Sequence, residues 1–279
     1  MKRNKIALAG IGLLAAGALA LAGCSSKSGG DATASTGGDS KSIIRVSGSE
    51  PENPLLPANT NEVGGGKILD SIFAGLAFYD AKGKLVNDMA ESIKVDDSSD
   101  LTIKVKQGNT FSNGEKVTAD SFINAWQYGA LFSNKQLNQS WFSDIEGFSA
   151  DADSPLTGLK KVDDYTFTIK LSNPVAADFS QRLGYSAYYP IPEAGLKDMA
   201  AFGENPIGNG PYKFAKTGAW QHKVELDLVK SDSYKGARKA KNGGVTFVFY
   251  AKADAAYADL QSNKVDVIDL IPASAQQTF

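Results

Sequence analysis

The side chains with chemical potential in this 279-residue sequence are one cysteine (Cys24), one histidine (His222), two adjacent aspartate pairs (Asp96-Asp97 and Asp163-Asp164) and a group of amides and aromatics that includes Asn138, Trp141, Tyr188 and Tyr189. A lone cysteine cannot close an internal disulfide, and one Cys with one His cannot supply a zinc site of the His/Cys kind, so neither metal nor cofactor is expected. The G-x-S-x-G of an elbow-type hydrolase and the S-x-x-K of a penicillin-type acyltransferase are both missing. His222 sits among Trp220, Gln221 and Lys223 beside the alternating Val224, Leu226 and Leu228, which reads as an exposed strand edge rather than a general base. Each aspartate pair lies between apolar alternations and reads as a turn, not as two carboxylates facing across a cleft. Catalysis is therefore not expected. Tyr185, Tyr188 and Tyr189 each offer an apolar face and a hydroxyl, which suits non-covalent capture of a solute; the competing reading is tyrosines on a partly wet sheet. Asn138, Trp141 and Phe142 form an aromatic-bearing loop that would either cover an apolar ligand group or fill a small core.

Glycine-rich stretches do not change this. Gly64-Gly65-Gly66-Lys67 fails as a phosphate loop, because Asn61 stands where the first glycine belongs and Ile68 where the Ser or Thr belongs. In Gly208-Asn209-Gly210-Pro211-Tyr212-Lys213, Lys213 replaces the third glycine of a dinucleotide loop. With 29 basic against 31 acidic residues, no excess positive charge is present to hold nucleic acid.

The N-terminus carries Lys2, Arg3 and Lys5 followed by an apolar run over 6–21, the pattern of an export signal, shorter than the roughly 20 residues of a comfortable membrane span. Leu21-Ala22-Gly23-Cys24 resembles a bacterial lipobox. That likeness implies removal of 1–23, acylation of Cys24 and a lipid anchor on the extracytoplasmic face of the cell membrane. Residues 24–42, nearly all Ser, Gly, Asp, Thr, Ala and Lys, read as a flexible tether reaching about 20 Å.

The elements that must position any site are clearest over 89–129. Ile93 and Val95, then Leu101, Ile103 and Val105, alternate as two antiparallel strands joined through 96–100. Asn113-Gly114 supplies a turn, Thr118 an N-cap and Asp120 a first-turn anion for a helix over 119–131, whose Phe122, Trp126 and Gly129/Ala130 make a packing stripe. Further strands are expected at 43–46, 224–228, 245–250 and 265–268, a hairpin over 159–171, and helices over 68–75, 176–183 and 253–262. A Pro/Asn-rich loop follows the first strand over 48–57.

The ordered residues Ala90-Glu91-Ser92, Leu101-Thr102-Ile103-Lys104-Val105-Lys106, Gly108, Phe111, Asn113-Gly114, Val117-Thr118-Ala119-Asp120-Ser121-Phe122 and Trp126 resemble the signature region of the peptide-type (family 5) solute-binding proteins of ABC importers. Ile93, Lys106-Gln107 and Ser112 depart from the usual wording without touching a turn or a cap. The hairpin Val162-Asp163-Asp164-Tyr165-Thr166, the Pro206-to-Phe214 segment and the Val265-Asp266 region extend the resemblance over about 43–271. It implies an α/β, periplasmic-binding-protein-like fold of type II with mixed sheets. The main lobe would be 43–82 and 186–279, with an inserted subdomain at 83–185. Family members run to about twice this length, so a second lobe, with the acidic and tryptophan residues that hold a peptide's amino terminus, is expected to be missing and capture by closure impaired.

By the same resemblance, the segment after Asn53-Pro54 crosses the cleft mouth and puts Ala58, Asn59 and Thr60 beside the ligand. The Tyr185-to-Pro192 strand returns beside the cleft with Tyr188 and Tyr189; Asn138, Trp141 and Asn209 complete the expected set. The implied function is capture of a small ligand, an oligopeptide by preference, for ABC permease subunits, by a monomer. The alternatives are a surface adhesin or chaperone-like lipoprotein, and a carrier of a sugar or metal complex.

Overall fold

A computed structural model describes residues 40–276; the expected export signal, Cys24 and the expected tether as far as residue 39 lie outside the described residues. In order, the chain forms β1 (Ile43–Gly48), α1 (Val63–Ile72), β2 (Ala77–Tyr79), β3 (Leu85–Asn87), β4 (Ala90–Val95), β5 (Asp100–Val105), α2 (Ala119–Ala130), β6 (Leu159–Asp163), β7 (Thr166–Lys170), α3 (Ala176–Arg182), α4 (Glu193–Leu196), α5 (Met199–Glu204), β8 (Tyr212–Phe214), β9 (Trp220–Gln221), β10 (Glu225–Lys230), β11 (Gly244–Phe249) and α6 (Ala253–Gln261).

The period-two stretches pair as their alternation requires. β4, β5, β7 and β6 make an antiparallel sheet in that order, with Ile103 opposite Ile93 on one side and Phe167 on the other. Leu101, Ile103 and Val105 point into the core, whereas Lys104 between them is exposed. α2 covers that buried face. Thr118 is its N-cap and Asp120 lies in its first turn, as the sequence predicts; Ser121 Oγ, which the sequence reading did not single out, accepts from the Thr118 N–H at 3.1 Å, and Gly114 takes the positive φ of 90° that its turn demands. Trp126, fully buried, lies edge-on to Phe167 and Tyr188 and donates Nε1–H to the Tyr188 carbonyl at 3.0 Å.

The second large sheet runs β1-β11-β10-β8, with β9 also on β10; β1 and β11 are parallel and the other pairs antiparallel. β2 and β3 form a small hairpin that the sequence pattern does not announce, each strand being three residues long.

Three expectations need correction. The first helix spans Val63–Ile72, not 68–75, and both ends have causes. The Glu62 carboxylate accepts from the Gly65 N–H at 2.9 Å, so the helix starts on the glycine run. At the other end Asn209 Oδ1 takes the Ala74 N–H at 2.9 Å and Arg238 takes the Asp70 carbonyl at 2.6 Å, the two groups that the next helical bond would have joined. The stretch before Pro190 is a 3-10 turn at Ser186–Tyr188 instead of a strand, because Tyr188 and Tyr189 donate to Tyr185 and Ser186, and prolines 190 and 192 have no N–H for a ladder. Residues 265–268 make one bridge, Val46 to Val267; Asp266 Oδ2 takes the Arg45 N–H at 2.7 Å, the donor a longer ladder would use. The 138–142 loop also tightens into a 3-10 turn at Gln139–Phe142.

His222 is exposed, as expected, but not idle. Its Nδ1 lies 2.9 Å from Glu50 and its Nε2 3.1 Å from Glu204, tying the 48–57 loop to the end of α5. Hydrogen bonding to Glu50, the largest effect, raises its pKa above the ordinary 6.5; burial opposes this, and the bond to Glu204 with the charges of both carboxylates adds to the rise. The contribution of this clamp to stability is therefore complete below about pH 6.5 and lost as pH rises through the raised folded-state value. Because the ring is half exposed, the effect is worth less than about 1 kcal/mol. Urea unfolding followed against pH should show this slope in the wild type and lose it in His222→Gln.

Candidate functional site

Two hollows adjoin α1 and share one residue, Asp70. The first, of about 270 Å³, lies between the start of the helix and the 184–186 segment, and is lined by Thr60, Glu62, Val63, Tyr79 and Tyr185 among others. The second, of about 340 Å³, lies between the helix and the face of the larger sheet, where Val46, Val245, Phe247 and Val267 meet Lys67, Ser71 and Asp269. Apolar walls with a few placed polar groups are what solute capture requires. Val63 at 70% exposure, Tyr79 at 46% and Val267 at 50% are large apolar groups left open along this groove. Hollows elsewhere differ in character: one of about 410 Å³ is lined by Glu115, Lys116, Asp120 and Glu193, and one of about 480 Å³ by Arg238, Lys239 and Lys241.

The helix can present this face because its other side is committed. Ile68, Leu69 and Ile72 are fully buried, leaving Lys67, Asp70 and Ser71 to the groove. Lys67 pairs with Asp269 and holds that carboxyl below its usual range. Asp70 accepts from the Tyr189 hydroxyl at 2.6 Å. Burial, then the Asp70 charge, push the Tyr189 phenol well above its ordinary value, so it stays protonated and donates.

Among the residues singled out from the sequence, Thr60 lines the first hollow, although its hydroxyl donates to the Leu56 carbonyl at 3.1 Å. Ala58 is buried, and Asn138 binds its carbonyl and that of Thr60 at 2.9 and 2.8 Å, so Asn138 straps the 58–60 loop from behind. Asn59 receives the Leu137 N–H at 3.3 Å. Trp141 stacks on Tyr185 with ring centres 4.0 Å apart and backs the tyrosine that reaches the hollow. Tyr188 is fully buried, its hydroxyl on the Trp141 carbonyl at 2.5 Å; Tyr189 is buried and touches the groove through Asp70. Asn209 is buried, exchanging two 2.9 Å bonds with the backbone of Ala74. Cys24 lies outside the described residues.

Asn209→Ala strands a buried N–H and C=O, each costing about 1–3 kcal/mol. The expected result is a drop of roughly 2–6 kcal/mol in urea-unfolding stability. The sequence reading missed Asp70, Glu62, Val63 and Tyr79. A signal was available: Val63 is a large apolar residue ahead of three glycines, and Lys67, Asp70 and Ser71 mark the polar stripe of an otherwise apolar helix.

The family model described as bacterial extracellular solute-binding proteins, family 5 Middle, matches residues 84–279. The oligopeptide-binding protein OppA of Bacillus subtilis (strain 168) is 28% identical over 225 residues, 76% of this chain and 40% of that one. The periplasmic oligopeptide-binding protein OppA of Escherichia coli (strain K12) is 26% identical over 279 residues, 95% of this chain and 49% of that one. The solved structure of Burkholderia pseudomallei OppA aligns with a TM-score of 0.77 at 26% identity, over 86% of this chain and 48% of that one. The chain thus spans about half the length of these relatives or less, and the two from Bacillus subtilis and Escherichia coli are named as oligopeptide-binding proteins. The fold is the mixed-sheet, periplasmic-binding-protein-like one that the resemblance implied. With the family model covering more than half of its length, this chain belongs to the bacterial extracellular solute-binding proteins of family 5.

Proposed function

We propose that this chain is the ligand-capturing part of an ABC importer, taking an oligopeptide on the groove beside α1 and presenting it to a membrane permease. The observation that carries this reading is the pair of adjoining hollows, apolar-walled and joined at Asp70, in a chain of this family. The names of the relatives supply the peptide. Thr60 contacts ligand directly, while Ala58, Asn59, Asn138, Trp141, Tyr188, Tyr189 and Asn209 hold the walls in place. Residues 43–82 and 186–279 serve as the main lobe and 83–185 as the inserted subdomain, a division supported by the four-stranded sheet falling wholly within 83–185. The protein works as a monomer, carried on the extracytoplasmic face of the membrane by acyl chains on Cys24. Cys24→Ala then releases it into the soluble fraction.

A ligand that binds only the native state raises the unfolding midpoint, by RT ln(1 + [L]/Kd) in free energy. Thermal unfolding of the whole chain with a random pentapeptide pool, a disaccharide pool and a nickel–histidine complex separates the candidates. A rise with peptides alone is expected. A rise with sugar or the nickel complex alone reassigns the solute, and no rise with any of them favours the adhesin.

A further inference from the structure

The groove carries a carboxylate whose charge the protein leaves unspent. Asp70 is exposed, lines both hollows, and sits in the last turn of α1, the end of a helix where a negative charge is least welcome. Among the described residues, two cations, Lys67 and Arg238, are placed near that turn, and both are engaged elsewhere. Lys67, one turn earlier on the same face, is drawn off by Asp269. The Arg238 guanidinium lies against the fully buried Asp88 at 3.1 Å and spends its other N–H groups on the Asp70 and Phe73 carbonyls. Among the described residues, only the Tyr189 hydroxyl reaches the Asp70 carboxylate, on Oδ1. That bond comes from a buried, aromatic-packed phenol, so it fixes the carboxylate's direction without neutralising it. Among the described residues lining the two hollows, Glu62 and Asp269 add further negative charge against Lys67 alone.

We propose that Asp70 selects cationic ligands, its Oδ2 accepting from the ammonium or guanidinium of a lysine or arginine side chain of the bound peptide, with Tyr189 as the positioning residue that aims it. The proposal rests on the peptide-binding reading above and specifies the chemistry of that same groove. A bond to a charged group in a partly desolvated cleft corresponds to roughly tenfold or more in affinity. It is also weakened by salt, unlike the apolar contacts around it.

The test is calorimetric titration of the whole chain with N-acetylated pentapeptides that carry lysine at one position, each paired with the norleucine peptide of equal aliphatic length. The wild type should prefer lysine by about tenfold at one or more positions. Asp70→Asn keeps an oxygen for Tyr189 but removes the charge, and should bring the ratio of lysine to norleucine affinity down to about one. Tyr189→Phe should shrink the ratio of lysine to norleucine affinity, whereas a merely structural loss would weaken both series alike and leave that ratio unchanged. Equal binding of the two series by the wild type, or a lysine preference that survives Asp70→Asn, overturns the selection by Asp70 and leaves peptide capture standing. Failure of both series to bind overturns peptide capture itself and the selection with it.

Discussion

Trp126→Ala should lower the stability of the folded chain by about 3–5 kcal/mol, the cost of emptying a large aromatic site that cannot fully collapse. The indole is fully buried and meets Phe122, Phe142, Phe167 and Tyr188, with its closest ring centres at 5.2 and 5.7 Å. Four different segments supply those rings, so no single side chain can move in to fill the space. The indole N–H is also the donor to the Tyr188 carbonyl. Trp126→Phe separates the two contributions, retaining most of the packing and losing that hydrogen bond and some volume, for a smaller loss of about 1–2 kcal/mol. Urea unfolding of the three proteins measures both. The next residue after Tyr188 holds Asp70, so the same substitution should also loosen the groove.

Arg238→Ala should cost a comparable amount, about 3–5 kcal/mol, for an electrostatic reason. Asp88 has no exposed side-chain surface; it is held by the Tyr234 hydroxyl at 2.8 and 2.9 Å and by Arg238 Nε at 3.1 Å. Removing the guanidinium leaves a buried carboxylate whose remaining hydrogen-bond partner among the described residues is the neutral Tyr234 hydroxyl. It also frees two carbonyls at the end of α1 that Arg238 caps. Replacing both members, Asp88→Asn with Arg238→Met, should recover part of the loss, because the uncompensated charge then disappears. A double mutant no more stable than Arg238→Ala would place the cost in the capping of α1 instead. The comparison therefore tells charge burial from helix termination.

The parts of the fold that rest on period and capping were legible in the sequence. Leu101, Ile103 and Val105 alternate over a partner strand that alternates too, and Thr118 with Asp120 marks a helix start that no distant contact has to override. What was not legible depended on distant partners. Nothing near Ile72 announces the end of α1; Asn209 and Arg238, more than a hundred residues away, decide it. The alternation over 265–268 looked like a strand, but the Asp266 side chain takes the ladder donor.

The site divides in the same way. Residue type pointed to tyrosines and amides, and the structure puts most of them behind the groove, where their polar atoms are occupied by Ala58, Thr60, Ala74 and Trp141. Tyr189 reaches the groove only through another residue. Asp70 was invisible as a site residue because an aspartate on a helix face ordinarily faces water. Its setting comes from the sheet and the 184–189 segment, which sequence spacing does not place beside it.

The central claim is that ligand lies along α1. Photo-crosslinking tests it most directly: a pentapeptide carrying benzoylphenylalanine is irradiated with the whole chain, with and without excess unlabelled peptide, and adducts are mapped by mass spectrometry. The account predicts competable adducts within 60–71, 184–186 and 267–269. Competable adducts confined to the hollow around Glu115 and Glu193, or adducts that excess peptide does not displace, would contradict it.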